Sequence, residues 1–498
     1  MGNETTKKEP RAPKLYEAIL TFVALVIIMS LGIIVFKVDP HIPMFIGVIF
    51  AALMALRLGY KWEAIEEMMI TGITRSMQAI LILAIVGMLV GTWLLSGTIP
   101  TMIYYGLKVL SPSIFLIAAL VICSITSLAT GTSWGTMGTM GLALMGIAAG
   151  LGVPVGPTAG AIISGAYFGD KLSPLSDTTN LAPAMAGTDV FSHVKFMIKS
   201  TATTYIIAIV FFGVYGFMNA SKGDADTSQV TILMDGLQEA YNINPILLLP
   251  PIIVILAIAL KVPAIPGITL GVIAAAILAP IFQGNVPIYN PDVAGDILHR
   301  GASFGEIINC AMNGFTFSSG IEALDALLSK GGLMGMAYSI LMTMIAMMFG
   351  GIMEGTGQLA VIIDAITKKI KSGPAIITAT ELTCLLSNAT MPEQYISILI
   401  PGRMYAPAYR KLGLHPVCLS NALESAGTVT SALVPYNTCG IYIKTTLNLD
   451  STMVYAPWAV FNWLMPLMTI LMSFMGITVK KMTSEQQEKA DAGELVSL

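Results

Sequence analysis

The sequence predicts an all-α polytopic membrane protein built as two inverted repeats of about five spans each, with a re-entrant hairpin and a broken helix in each repeat. Three observations lead there. The composition suits lipid: 55% of the 498 residues are hydrophobic, 11% are charged and the mean hydropathy is +0.78, whereas soluble chains carry about 25% charged residues. Apolar runs of about 20 residues, the length that crosses a bilayer, recur along the chain. Polar, proline-broken stretches interrupt other apolar regions, and they do so twice in the same order.

The uninterrupted runs fall at roughly 16–37, 42–58, 77–97, 200–220, 244–261, 265–282, 333–353 and 456–478. At 113–151 and 375–407 the apolar character is broken by the tips SLATGTSWGT and SNATMPEQ, and at 156–190 and 413–447 by SPLSDTTN and SALVPYNTCG. These regions align without gaps at an offset of 261, which pairs Thr132 with Glu393, Gly152 with Gly413, Gly165 with Ala426 and Pro174 with Pro435. Gly97 and Gly357 extend the match at 260, and the run from Ile42 resembles that from Ile265 at 223, so the second half carries about 38 extra residues between roughly 283 and 330. The chain therefore divides into a tail (1–14), a first repeat (15–220), an external linker (221–243), a second repeat (244–480) and a second tail (481–498). The insertion, with Asp292, Asp296, Glu306, Glu322 and Asp325, is expected to form an external loop and an interfacial helix.

Charge sets the orientation. With a cytoplasmic N-terminus, five spans per half and hairpins that return to the side they came from, 19 Lys/Arg lie inside, six lie outside and Lys171 lies mid-membrane. That distribution obeys the positive-inside rule. Five is odd, so the halves must be inverted and both termini cytoplasmic. The first 14 residues, basic and polar, precede an apolar run too long and without the small-residue cleavage site of a removable signal. Cys123, Cys310, Cys384, Cys418 and Cys439 show no metal-ligand spacing and read as small buried hydrophobes.

Inverted repeats with broken helices put a binding site near the midplane, within reach of both faces. Polar side chains and open backbone persist at that depth only where protein or water satisfies them. The run GAYFGDKLSPLSDTTNLAP, residues 165–183, is the richest such stretch. Its hard oxygen donors suit a hard cation such as sodium. Asp177 leads the candidates, with Asp170, Ser176, Thr178, Thr179 and Asn180, and with Thr132 and Ser133 from the first hairpin tip; Asp177 and Asn180 are the expected sodium ligands. The alternative is that Ser and Thr cap the broken helices. The halves differ in charge: Asp177 aligns with Thr438, Asp170 with Ser431, Thr132 with Glu393 and Ile163 with Glu424. Glu393 and Glu424, with Glu381, read as carboxylates able to carry a proton when desolvated, so sodium and protons would compete for the same groups. Lys171 is expected to neutralise Asp170. His41, His193, His299 and His415 fall at loops or span ends and read as solvated. Asp177→Asn is expected to abolish exchange without unfolding the chain.

GTSWGT followed by GAYFGDKLSPLSDTTNLAPAMAGTD resembles the NhaC-type sodium/proton antiporter family, over most of the chain. The resemblance implies secondary transport in a bacterial cytoplasmic membrane, with sodium and protons as the transported species and no cofactor. It also implies a fold similar to the ion-transporter superfamily, whose members often work as dimeric elevators. One branch of the family resembles the malate/sodium-lactate antiporter MleN and couples the ions to small carboxylates. In such a carrier Ser387, Asn388, Asn437 and Thr438, with helix N-termini, could hold the organic anion. A channel is the first rival, but ion filters are usually assembled by symmetric subunits around a pore. An intramembrane enzyme is the second: GTSWG at 131–135 matches a nucleophile elbow only formally, because it lies on a hairpin tip and not on a strand-to-helix turn.

Overall fold

The computed structural model describes residues 10–498 except 221–226, 261, 285, 290–296, 301, 318–324, 326–327, 330, 368–369 and 371. Most of the expected N-terminal tail, Lys261 and Asp292, Asp296 and Glu322 of the insertion thus lie outside the described residues. Among those described, five helices are long and apolar enough to cross a membrane: Met77–Leu95, Pro112–Thr130, Val190–Asn219, Ala264–Phe282 and Leu333–Gly355. Two bent pairs bring the number to seven if each is one span, Val230–Ala240 with Pro245–Ala259 at 100° and Thr452–Trp458 with Val460–Phe474 at 50°. Leu15–Ser30 and His41–Arg57 are shorter apolar helices. The chain is a multi-pass membrane protein.

Helix boundaries recur at the offset seen in the sequence. The first hairpin runs Pro112–Thr130, turns at Gly131 and Thr132, and returns from Ser133 to Gly150 through a π-helical turn at Met137–Gly141. The second runs Gly373–Thr390 and returns as Gln394–Lys411. Each tip ends in a helix cap at an aligned position: Thr132 Oγ1 accepts the Gly135 N–H at 3.2 Å, and a Glu393 carboxylate oxygen accepts the Ile396 N–H at 3.0 Å. The arms leading into the two hairpins bend at Gly97 and Gly357, both left-handed with φ of 78° and 72°, a region glycine occupies without a Cβ penalty.

The broken helices obey the proline rule. A residue before proline is pushed out of the helical region, and both predecessors are extended, Ser173 at ψ 122° and Val434 at ψ 119°. The first broken helix is therefore Val155–Leu172 then Asp177–Ala186. The second begins at Pro416, passes through a π-helical segment, Leu423–Thr428, and a 3-10 turn, and resumes as Thr438–Thr446. Ser176 and Asn437, aligned at 261, each cap the resumed helix, accepting from Thr179 N at 3.4 Å and Cys439 N at 3.0 Å.

Each broken helix packs on its own hairpin through paired bonds. Ser127 Oγ donates to the Ala166 carbonyl at 2.6 Å, and at the aligned positions Asn388 Nδ2 donates to the Gly427 carbonyl at 2.9 Å. The halves also interlock. The Trp134 ring at the first tip stacks on Tyr442 at 4.2 Å, the Tyr442 hydroxyl donates to the Trp134 carbonyl at 2.6 Å, and Tyr395 at the second tip reaches the Asp177 carboxylate at 3.5 Å.

Several elements differ from expectation. An amphipathic helix, Trp62–Arg75, lies between the second and third spans, and the linker holds a helix, Thr227–Ala240. The insertion contains the expected helix, Phe304–Asn313, and also a short antiparallel ribbon pairing Val286–Tyr289 with Ile297–Arg300. All five cysteines are buried and free. His193 and His415 are buried and not solvated: His193 Nδ1 lies 2.8 Å from Ser420 Oγ, and His415 caps the second broken helix by accepting from Val417 N. The C-terminal segment folds back on the end of the Asp177–Ala186 helix, with Val496 N donating to the Gly187 carbonyl at 3.0 Å and Thr188 Oγ1 donating to the Val496 carbonyl at 2.6 Å.

Candidate functional site

The two interruptions of the first half converge on one cavity of about 650 Å³. Thr132, Ser133, Asp170, Ser176, Asp177, Thr178 and Asn180 line it, and Glu393 joins them from the second hairpin tip. The geometry explains the convergence. Gly131, left-handed at φ 69°, brings the first tip against the backbone of Leu175, where a Cβ would lie 2.7 Å from the Leu175 carbonyl carbon. Ser133 then starts the returning arm with its N–H free of intrahelical partners, and it donates to the Asp170 carboxylate at 3.1 Å. Asp170 thus accepts from the positive end of a helix while lining the cavity, and it is 5% exposed.

The charge around Asp170 is unbalanced. The side chains of Ser133 and Ser176 face the carboxylate, and the neighbouring charge bearing on it is the like charge of Asp177. Lys171 does not neutralise it. That side chain leaves the helix on another face and donates to Ser425 Oγ at 3.2 Å, fully buried, because successive helical residues point about 100° apart. A desolvated carboxylate without a basic partner is costly unless it holds a proton or a cation. Asp177 sits at the rim, exposed, at the start of the resumed helix. Asn180, also exposed, uses its amide to donate to the carbonyls of Pro174 at 2.9 Å and Ser176 at 2.7 Å.

The other candidates lie outside the cavity lining. Thr179 donates to the Asp170 and Lys171 carbonyls, each at 3.1 Å, tying the resumed helix to the one before it. Asn388 and Asn437 belong to the packing of the second half, with Asn437 Nδ2 donating to the Asn388 carbonyl at 3.2 Å. Thr438 N donates to the Pro392 carbonyl at 2.9 Å, the contact that closes the second tip onto its broken helix. Glu424 lies behind the cavity and accepts from Thr178 Oγ1 at 3.1 Å. Sequence reasoning missed Arg75, Gln78, Trp134 and Tyr395, all of which line the cavity. Trp134 and Tyr395 align at 261, a signal that was readable; Arg75, ion-paired with Glu354, follows from the amphipathic helix and carried none.

A sequence profile of the Na+/H+ antiporter family matches residues 165–477. The chain belongs to the Na+/H+ antiporter family. The matched stretch begins within the first broken helix and spans Asp170 and Asp177. Among relatives of this antiporter, the malate-2H+/Na+-lactate antiporter of Bacillus subtilis is 39% identical over 458 residues, covering 92% of this chain and 93% of the relative. The Na+/H+ antiporter NhaC of Alkalihalophilus pseudofirmus is 35% identical over 95% of this chain and 98% of its own. The arginine/ornithine antiporter ArcD of Halobacterium salinarum is 32% identical over 97% and 96%. The family consists of antiporters and not of enzymes.

Capping at the two breaks gives a stability test. Replacing an N-cap Ser or Asn by Ala costs about 0.5–2 kcal/mol, and Asn437 also holds Asn388. Ser176→Ala is expected to lower stability by about 1 kcal/mol, and Asn437→Ala by more than that, since it also leaves a buried carbonyl unpaired. Thermal unfolding in detergent checks the order.

Proposed function

We propose that this antiporter exchanges sodium for protons across the bacterial cytoplasmic membrane by alternating access, with Asp170 as the central cation ligand. The observation that carries the reading is the buried Asp170 carboxylate, bound by the first hairpin tip and facing a cavity whose basic lining residue, Arg75, is ion-paired with Glu354. Ser176, Thr178, Thr132 and the rim carboxylate of Asp177 complete an oxygen-rich shell of the kind a hard cation takes. Glu393, across the cavity, is a proton-coupling group.

The two halves are inverted repeats in this reading. Support comes from the matched helix bounds, the paired caps and the paired Ser127 and Asn388 bonds. The positive-inside orientation puts the N- and C-termini, Arg75, Gln78 and the 262–264 turn at the cytoplasmic end. Arg75, Gln78 and the 262–264 turn line the cavity, so in this reading the cavity reaches the cytoplasmic end. A second reading draws on the size of the cavity, which is far larger than an ion and within the range of about 300–1,000 Å³ that takes small organic ligands, and on Arg75 in its wall. In that reading a small carboxylate such as malate or lactate moves with the ions, as in the malate-2H+/Na+-lactate antiporter of Bacillus subtilis.

Purified protein in liposomes with an interior pH dye separates them. A sodium gradient alone is expected to move protons. A response that appears only with malate or lactate supports the second reading, and silence under every condition overturns both.

A further inference from the structure

The two broken helices sit in different surroundings. In the first half the resumed helix, Asp177–Ala186, borders the open cavity, where Leu175 and Asn180 face Gln78, Ala79 and Ile82 of Met77–Leu95 and Ala264 of the 262–264 turn. Each of those positions has a counterpart in the other half of the chain. At the offset of 261 Leu175 and Asn180 become Tyr436 and Ile441, at 260 Gln78, Ala79 and Ile82 become Tyr338, Ser339 and Met342, and at 223 Ala264 becomes His41. The helix bounds obey the same offsets: His41–Arg57 and Ala264–Phe282 start at aligned residues after aligned prolines, and Met77–Leu95 and Leu333–Gly355 end at aligned residues.

This second set is closed. Tyr436, Ile441 and Met342 are buried in one apolar cluster, whereas Asn180, aligned with Ile441, is exposed. Two polar pairs fasten the resumed helix Thr438–Thr446 to Leu333–Gly355. Ser339 Oγ and Thr445 Oγ1 share a hydrogen bond, and Lys444 Nζ stands 5.5 Å from the centre of the Tyr338 ring, within the range of a cation–π attraction. His41 steadies that tyrosine, with Nε2 2.9 Å from the Tyr338 carbonyl oxygen and the two rings 4.0 Å apart. The cavity has no such pairs. Its aligned residues are Ala79 with Ala184 and Gln78 with Pro183; alanine offers no hydroxyl, and glutamine with proline offers neither an aromatic face nor a cation. Depth puts the pairs far from the cavity mouth. Glu354 meets Arg75 at that mouth, and at about 1.5 Å per residue Ser339 lies about 22 Å back along the same helix.

We infer that the contact of Thr438–Thr446 with Leu333–Gly355 is the closed external mouth of the transport path, and that Ser339 with Thr445 and Tyr338 with Lys444 latch it. When the halves exchange conformations, Tyr436, Ile441 and Met342 come to line a cavity open to the outside, as Leu175, Asn180 and Ile82 line the present one. The latch is built on one face only, so it holds the chain in the state open at the cytoplasmic end until the polar pairs part. Two weak pairs suit that task. A hydrogen bond between hydroxyls makes a small net contribution, enough to bias two states and too little to lock either. This rests on the inverted-repeat, alternating-access reading and adds to it the residues that set the resting state.

Side-specific labelling tests the mouth without a sodium gradient, so that its failure and the failure of exchange are told apart. In right-side-out and inverted membrane vesicles holding the full chain, a membrane-impermeant maleimide is expected to reach Gln78→Cys from the cytoplasmic side and Ile441→Cys from the opposite one, each located by peptide mass. Ser339→Ala with Thr445→Ala gives the second half the residues of the first. That variant should raise labelling of Ile441→Cys about fivefold, the factor that one net hydrogen bond supplies, and lower labelling of Gln78→Cys without abolishing it, the remaining signal being the control for folding. Lys444→Met should act in the same direction. Ser339→Cys with Thr445→Cys is expected to form a disulfide on oxidation, to suppress labelling of Ile441→Cys and to halt exchange until reduced. Labelling of both sites from one side, labelling of Ile441→Cys that ignores the latch variants, or full labelling after the disulfide has formed would overturn the inference. Opposite-side labelling in a chain that moves no protons would overturn the exchange reading and leave the mouth in place.

Discussion

Asp170→Asn is expected to reduce sodium-driven proton movement to the level of protein-free liposomes while leaving the fold intact. The side-chain amide is isosteric, and its oxygen can still accept the Ser133 N–H that the carboxylate now holds at 3.1 Å, so the tip stays docked. What is lost is the charge. A neutral amide neither attracts sodium into the cavity nor exchanges a proton for it, and removing an unbalanced buried charge costs little stability, within about 1 kcal/mol. Asp177→Asn separates the two aspartates. Asp177 is exposed at the rim and touches Tyr395 only at 3.5 Å, so its loss should weaken the dependence on sodium and leave measurable exchange at high concentration. Sequence spacing ranks Asp177 first and burial ranks Asp170 first. Full exchange by Asp170→Asn, with silence from Asp177→Asn, would restore the first order.

The breaks in the helices were legible because their causes are local. Pro174 and Pro435 force their predecessors into extended backbone, Gly131 supplies a left-handed turn, and the offset of 261 transfers each reading to the other half. Convergence of the GTSWGT tip on the GDKLSPLSDTTN run was legible for the same reason, since two polar interruptions in one repeat have a common place to meet. The direction of a side chain was not. Lys171 neighbours Asp170 in sequence but ends at Ser425, and only the packing of the second broken helix decides that. Asn388 and Asn437 carry the residue types of a ligand site, yet they spend their donors on the carbonyls of Gly427 and Asn388. From sequence, a polar side chain that binds cargo and one that satisfies open backbone look alike. The Trp62–Arg75 helix escaped because its polar face hides it from a search for apolar runs, and with it went Arg75.

Gly165→Ala gives the largest expected structural effect, because two forces predict opposite signs. In a helix, alanine is favoured over glycine by about 1 kcal/mol, so a substitution in the middle of Val155–Leu172 would stabilise the chain if propensity decided. Packing says otherwise. A Cβ on Gly165 would lie 2.2 Å from the Leu120 carbonyl oxygen and 3.0 Å from Cys123 Cβ, and one turn on, a Cβ on Gly169 would lie 2.4 Å from the Ser124 carbonyl oxygen. The two glycines, four residues apart on one face, let the broken helix approach the hairpin arm backbone to backbone, as small residues do between helices in lipid. Backbone cannot rotate out of the way, so the helix must move. Overpacking of this kind costs about 1–3 kcal/mol, and it strains the Ser127 bond to Ala166 and the Ser133 bond to Asp170, which both depend on that approach. The expected outcome is a lowered unfolding temperature together with loss of sodium-coupled proton movement. Gly335→Ala is the internal control, since nothing lies within 4 Å of its added Cβ, and it should stabilise by about 0.4–1 kcal/mol. The second half has Ala426 where the first has Gly165, so that hairpin and broken helix accommodate a methyl at the aligned position and the close approach belongs to the half that carries Asp170. Stabilisation by Gly165→Ala would mean that helix propensity outweighs the contact, and that the tip of the first hairpin reaches Asp170 without it.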